Sequence, residues 1–391
     1  MSYRILTLNN ISMRGLEKLP RERYEVASQL GSPHGVLVRS ADMHKLAIPD
    51  SLLAVARAGA GTNNIPVAAL SARGVPVFNA PGANANAVKE LVLAGLLLAA
   101  RNICQAWDFA RGLQGDDKQL DEAVEKGKKN FVGIELPGRT LGVVGLGAIG
   151  VEVANSALAL GMKVLGYDPQ ITVQRAWQLS SSVEQALSLD DLFARSDMIT
   201  LHVPLNDATR GLVNAARLKL MPPSGAVLNF ARAQIVNEID VVAALAGGSL
   251  HAYVCDFPTN ALKGQPRVIA LPHLGASTSE AEENCAVMAA EQLRDFLENG
   301  NIRNSVNCPE AVLPRVPGTT RIAVANSNVP NMVGQISTCL AGARINIADL
   351  LNKSRGEYAY TLIDADGAVD EALIGRIRQI EGVLSARVVA Q

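Results

Sequence analysis

Residues 141–168 read LGVVGLGAIGVEVANSALALGMKVLGYD, and this stretch decides the fold. Residues 141–144 form an apolar run that predicts a buried strand. Gly145, Gly147 and Gly150 follow in G-x-G-x-x-G spacing. Residues 151–160 return to an Ala-rich helical pattern. A second apolar run, Val164 to Tyr167, ends at Asp168, about 20 residues past the glycines. Gly145 permits a tight turn out of the strand. Gly147 lets a pyrophosphate approach the backbone without meeting a Cβ, and Gly150 lets helix and strand pack closely. The free N–H groups at the helix start, helped by the helix dipole, face phosphates. Asp168 is placed to accept hydrogen bonds from the ribose hydroxyls on the adenine side. It repels a 2′-phosphate, and no Arg follows within five residues, so the pattern implies NAD rather than NADP.

A chain of 391 residues is long enough for two or three domains with cores of their own. Hydrophobic residues make up 48% of it, which suits buried parallel strands. Lys and Arg number 36 against 37 Asp and Glu, a net charge of −1, so no polyanion or nucleic-acid footprint is expected. An anionic substrate must then be met by a few local Arg or Lys side chains. The cysteines at 104, 255, 285, 308 and 339 are scattered, with no C-x-x-C pair. They suggest reduced thiols of a cytoplasmic protein rather than disulfides or a metal site. The N-terminal MSYRILTLNN lacks a charged-then-apolar leader, so no signal peptide is expected. The apolar stretch Leu91 to Ala100 is too short to span a membrane.

Residues 1–84 alternate strand and helix signals, as in a small parallel α/β domain. Three of its turns carry polar groups: Arg39 and Ser40, then GAGTN at 59–63, then NAPGAN at 79–84. Ligands of open α/β sheets bind beyond the carboxyl ends of strands, where these turns fall. Gly, Asn and Pro make turns in any case, but a turn does not need Arg39, whose fork suits a carboxylate or phosphate. Residues 85–101 predict a long buried helix, and the polar 103–130 a solvated helical face or lid.

Past Asp168 further strand–helix units continue, and two strand ends carry groups capable of chemistry. Arg232 closes AVLNFAR and His273 closes VIALPH. Hydride transfer from a 2-hydroxy acid needs a base for the hydroxyl proton, and His suits that near neutrality. It also needs a cation to hold the carboxylate and polarise the forming carbonyl, which Arg provides. Of the remaining histidines, His202 reads as structural, and His34, His44 and His251 have no supporting context.

Residues 36–308 resemble the D-isomer-specific 2-hydroxyacid dehydrogenases. The resemblance rests on GTN at 61–63, NAPGANANAVKELVLAGLL, GLGAIG, LHVPLNDATRGLVN, NFARAQIV and LPHLGAST. VRS at 38–40, AEENCAVMAAEQL and IRNSVN point to the branch that oxidises 3-phosphoglycerate. The resemblance implies two Rossmann-like, doubly wound parallel-sheet domains. The substrate domain would be discontinuous (1–84 and 277–308), with the NAD domain at 85–276 and closure of the two over the cofactor. It implies Arg232 as the carboxylate-binding catalytic residue and His273 as acid/base. It implies cofactor contacts at Ala148, Ile149, Asp168, Phe230, Ala231, Arg232, Asp256 (to the nicotinamide carboxamide), and His273, Leu274, Gly275 and Ala276. Substrate contacts would be Arg39, Ser40, Asn63 and Asn84. The family pairs its His with a Glu, but CDFPTNAL has Asn260 there. Asn can orient an imidazole without supplying the charge that raises its pKa.

After a proline-rich linker at 309–319, residues 320–391 show a β-α-β-β-α-β pattern that resembles an ACT domain, a ferredoxin-like amino-acid-sensing module. Asn328 and Pro330 are expected to cap its first helix. The resemblance makes Asn328 and Asn346 effector contacts, with L-serine as the candidate. Asn326 and Asn331 depart from the family's His and Gly. Exposed strand edges favour a homodimer or homotetramer. Two other readings stand beside oxidation of 3-phosphoglycerate to 3-phosphohydroxypyruvate. One is a glyoxylate or hydroxypyruvate reductase, and the other an NAD(H)-sensing protein of the corepressor type.

Overall fold

The computed structural model describes residues 2–389. The chain divides into two compact units, one built from the residues up to Asn84 and from Ser279 onward, the other Ala85–Thr278. In the first, β1 (Tyr3–Leu8), β2 (Tyr24–Ala27), β3 (Gly35–Val38), β4 (Ala54–Arg57) and β5 (Val77–Phe78) form a parallel sheet of order β2-β1-β3-β4-β5. The order reverses between β1 and β3, so the turns leaving those strands open a crevice. The helix Ser279–Asn299 returns to this sheet. Its Ala289, Ala290, Leu293 and Leu297 share a core with Ile5, Leu37, Ala56 and Phe78.

The second unit has β6 (Thr140–Val144), β7 (Lys163–Tyr167), β8 (Glu184–Gln185), β9 (Met198–Leu201), β10 (Ala226–Asn229), β11 (Ala252–Cys255) and β12 (Val268–Ala270). Its sheet is parallel, in the order β12-β11-β10-β9-β6-β7-β8. β9, β10 and β11 are buried along their whole length, the mark of a sheet covered on both faces. The helices Ala85–Ala100 and Ala148–Ala159 build one core, and Leu189–Arg195 with Glu238–Ala246 the other. The polar 103–130 stretch forms the helices Ile103–Gly112 and Asp117–Gly127, the second opened by a reciprocal Asp116–Gln119 capping box. Among the described residues no helix is long and apolar enough to cross a membrane.

The C-terminal module has β13 (Thr320–Ser327), β14 (Asn346–Arg355), β15 (Tyr358–Asp366) and β16 (Val383–Val389) in an antiparallel sheet ordered β14-β15-β13-β16. With the helices Met332–Gly342 and Glu371–Arg378 this is the ferredoxin-like arrangement of an ACT-like domain. The helices cover one face of the sheet. The other face is also buried: Ala323, Ala325, Tyr360, Leu362 and Val389 join the core of the first unit against Phe296 and Leu297. The stretch expected as a linker is pinned rather than free. Arg321, wholly buried, pairs with the equally buried Asp364 at 2.7 Å and donates to the carbonyls of Leu313, Pro314 and Asn299. Asp364 accepts in turn from the Val316 N–H at 2.9 Å.

One expectation is corrected. Asn328 does not cap the first helix of the module. Its amide donates to the Gly356 carbonyl at 3.0 Å and its N–H to that of Glu357, tying it to the β14–β15 turn. The residue flanking the helix is Asn331, left-handed at φ +62°, with no side-chain cap bond. Asn tolerates that conformation better than most residues with a side chain. The helix thus begins beyond the reach of Asn328.

Truncating one partner of a buried pair leaves the other charge uncompensated, a loss of about 3–5 kcal/mol. Arg321→Met is expected to lower unfolding free energy by that order in urea titrations, and Arg321→Met with Asp364→Leu to recover most of it. Burial alone raises the Asp364 pKa, but the Arg321 and Val316 hydrogen bonds hold it below the usual carboxylate value. The pair's stabilisation is therefore full above pH about 4 and fades as pH falls through the lower folded value. The double variant should flatten that acid limb.

Candidate active site

The glycine turn follows β6. Gly145 has φ +90°, and a Cβ there would lie 2.6 Å from the His202 carbonyl oxygen. A Cβ on Gly150 would lie 1.9 Å from the Gly145 carbonyl oxygen, so helix and strand meet backbone to backbone. At Gly147 a Cβ would meet nothing within 4 Å. This glycine leaves space on the outer side of the turn, where a pyrophosphate needs it. Ala148 and Ile149 open the helix, whose first N–H groups have no side-chain cap. Asp168 is oriented by its own turn, accepting from the N–H of Leu146 at 2.8 Å and of Gln170 at 2.9 Å. His202 lies at 3.0 Å from the Thr200 hydroxyl, and burial pushes its pKa down to about 3, so it stays neutral and structural.

The second cluster comes from strand register. β10, β11 and β12 are neighbours, with Asn229 opposite Cys255 and Cys255 opposite Ala270. The residues that follow leave one edge of the sheet together: Phe230–Ala231–Arg232, Asp256 and His273. Asn229, which the sequence reading passed over, holds the first of these turns. Its amide donates to the Arg232 carbonyl at 3.0 Å and its oxygen accepts from the Ala231 N–H at 3.1 Å. An Asn ending an otherwise apolar core strand was the available signal. Arg232 is exposed, with Nη1 donating to the Ala231 carbonyl at 2.6 Å. The Phe230 ring turns inward beside Gly95, leaving its backbone at the site. His273 is exposed, its ring edge-on to Phe257 at 5.2 Å. Leu274 and Ala276 are exposed and Gly275 is buried.

Asp256 is 1% exposed, and neither carboxylate oxygen completes a hydrogen bond. Burial raises its pKa, opposed by the nearby His273 and by the backbone N–H groups of Gly275, Asp256 itself and Leu274. A buried carboxylate with unused acceptors fits a nicotinamide carboxamide, and with the open space at Gly147 and the aligned Asp168 these residues fit a dinucleotide. Asn260 is exposed in its turn, and no hydrogen bond joins it to His273.

The first unit has its own strand-end cluster. Arg39, after β3, pairs with Glu282 of the helix Ser279–Asn299. The Ser40 N–H donates to Asn9 Oδ1 at 3.0 Å. Asn64, adjacent to the expected Asn63, ties the turns by donating to the Ala41 carbonyl at 2.8 Å, whereas Asn63 is exposed and Asn84 half-buried. Arg57, at the end of β4, donates to the carbonyls of Arg39 and Gly61 and joins this cluster unforeseen.

A family model for the D-isomer specific 2-hydroxyacid dehydrogenase, NAD binding domain, matches residues 96–275. A D-3-phosphoglycerate dehydrogenase of Haemophilus influenzae is 33% identical over 352 residues, covering 86% of this chain and 81% of that protein. The chain belongs to the D-isomer-specific 2-hydroxyacid dehydrogenases. It is an NAD-dependent oxidoreductase on that family's D-3-phosphoglycerate dehydrogenase branch. A D-3-phosphoglycerate dehydrogenase of Synechocystis is 36% identical over 346 residues, 85% of this chain, but the chain spans only 59% of that relative's length. Among solved structures, an NAD+-bound 3-phosphoglycerate dehydrogenase of Entamoeba histolytica superposes with a TM-score of 0.61 at 26% identity, covering 78% of this chain and 99% of that one.

The glycines of this dehydrogenase separate folding from binding. Gly147→Ala is expected to keep the melting temperature while weakening NADH about tenfold or more by fluorescence titration, since its Cβ intrudes only on the ligand. Gly150→Ala should lose both, because its Cβ strikes backbone.

Proposed function

We propose that the chain oxidises the C2 hydroxyl of 3-phosphoglycerate to 3-phosphohydroxypyruvate, the entry to serine formation. The observation that carries this reading is the exit of Arg232, Asp256 and His273 from one edge of three adjacent strands. NAD, when bound, accepts the hydride. His273 takes the hydroxyl proton as the base. Arg232 holds the carboxylate and stabilises negative charge on the C2 oxygen. Asp256 accepts from the nicotinamide amide, and Asn260 stands where the family has the Glu that pairs with the His. Gly145, Gly147, Gly150, Ala148 and Ile149 hold the pyrophosphate, and Asp168 the ribose. Arg39, with Ser40, Asn63 and Asn84, binds the substrate phosphate, Glu282 releasing Arg39 as it does so. Arg57 and Asn64 position these turns.

In the C-terminal module Asn326 is buried, and its side-chain oxygen has no hydrogen-bond partner. An amino-acid ammonium group would satisfy this acceptor. It supports L-serine as an effector held with Asn328 and Asn346, and absence of calorimetric binding at millimolar serine would remove that role. The exposed edge strand β14 supports pairing with a second copy, giving a homodimer or homotetramer.

NADH formation measured with 3-phosphoglycerate and with D-glycerate tests the substrate. Activity is expected with the phosphorylated acid alone, and Arg39→Ala should raise its KM about tenfold or more. Equal activity on both acids would overturn the assignment. The kcat/KM pH profile tests the base. Oxidation needs a base free of its proton, so an acid newly placed beside it moves the acid limb to higher pH. Asn260→Glu should shift that limb to higher pH, and an unmoved limb would overturn the assignment of position 260 as the partner of His273.

A further inference from the structure

The first unit contains a cavity of about 490 Å³ with two walls from distant parts of the chain. One wall is the segment around Arg73 beside the parallel sheet, and the other is the C-terminal module at Arg378 and Arg387. Phe296, near the end of the helix Ser279–Asn299, lies between them. Three guanidinium groups line this space against one carboxylate, that of Asp50.

The three arginines are held in different ways. Arg387 lies 4.8 Å over the Phe296 ring and donates to the carbonyls of Phe296 at 2.6 Å and Leu297 at 3.4 Å. It has no carboxylate partner among the described residues, and the carbonyls of the helix's last turn set its position. Arg73 donates to the Ile48 carbonyl at 2.7 Å and pairs with Asp50, a fully solvated side chain. Arg378 donates to the Ala386 carbonyl at 2.9 Å and pairs with Glu371, which is 75% exposed. Exposed pairs of this kind contribute less than about 1 kcal/mol, so a stronger anion can replace either acid. Carbonyl contacts hold the three guanidinium groups at the cavity wall, and none of them is paired with a buried acid.

We propose that this cavity is an anion site for a small diacid, one acidic group met by Arg73 and the other by Arg378 and Arg387. The class covers polycarboxylates and phosphorylated carboxylic acids, whose two separated charges suit guanidinium groups on two walls. The apolar floor formed by Phe296 and Leu52 accepts the carbon skeleton between them. A ligand here joins the module to the parallel-sheet part of the unit. It also rests on the helix whose other end carries Glu282, the partner of Arg39.

Isothermal calorimetry on the full-length chain tests the site. Citrate is titrated into a background carrying Arg39→Ala and Arg232→Gln, so that binding at the proposed active site does not contribute. Inorganic phosphate and acetate are titrated in parallel as single-headed anions. The expected result is citrate binding in this background, weakened about tenfold or more by Arg73→Gln with Arg378→Gln, with phosphate and acetate far weaker. These two side chains are partly exposed, and an unchanged melting temperature confirms that the double variant stays folded. Arg387→Lys is a second variant: it keeps the charge but loses the planar fork and should weaken citrate in the same direction. No citrate binding at millimolar concentration, or binding unaffected by either set of variants, overturns the site. Phosphate or acetate binding as tightly as citrate overturns the diacid class.

Discussion

The nucleotide half of this dehydrogenase depends on one close approach. The backbone of Gly150 passes so near the Gly145 carbonyl that any Cβ would occupy the same space. That approach seats the helix Ala148–Ala159 on β6 and points its free N–H groups into the crevice at the switch in strand order between β6 and β9. It also sets the turn that lets Leu146 donate to Asp168. Asp168 is therefore positioned by the same backbone turn that opens the helix. A single steric requirement orders the whole cofactor end of the sheet.

The strand-end cluster depends on register. Arg232, Asp256 and His273 are separated by long stretches of chain, and each is unremarkable alone. In-register pairing of β10, β11 and β12 brings them to one edge, and Asn229 fixes the first turn from within the core. The departure from the family at Asn260 gains meaning there. The acid near His273 is Asp256, buried and with unused acceptors, while Asn260 stands exposed in its turn.

The C-terminal module is less separable than its sequence suggests. Residues 309–319 have the prolines of a linker, yet the buried Arg321–Asp364 pair gathers their carbonyls and N–H groups around one ion pair. The sheet face turned away from the module's helices shares a core with Phe296 and Leu297. The cavity lined by Arg73, Arg378 and Arg387 exists because that docking is incomplete at its margin.

The glycine spacing, Asp168, the two strand-end residues Arg232 and His273, and the β-α-β-β-α-β order were all legible from sequence. Each is a local requirement, in which a short stretch of chain must adopt one conformation or present one group at a strand end. Asn229, Arg57 and Asn64 were not legible, because an Asn or Arg near a turn has many possible partners and only the fold selects one. The capping expectation for Asn328 failed for the same reason: its partner, Gly356, comes from a distant hairpin. The sequence by itself determined the glycine turn and which side chains stand at the strand ends, since both follow from local backbone geometry and strand periodicity. Only the tertiary structure decided which acid lies beside His273, how Arg321 pins the module and where the arginine-lined cavity opens, because those contacts join residues that chain order keeps apart.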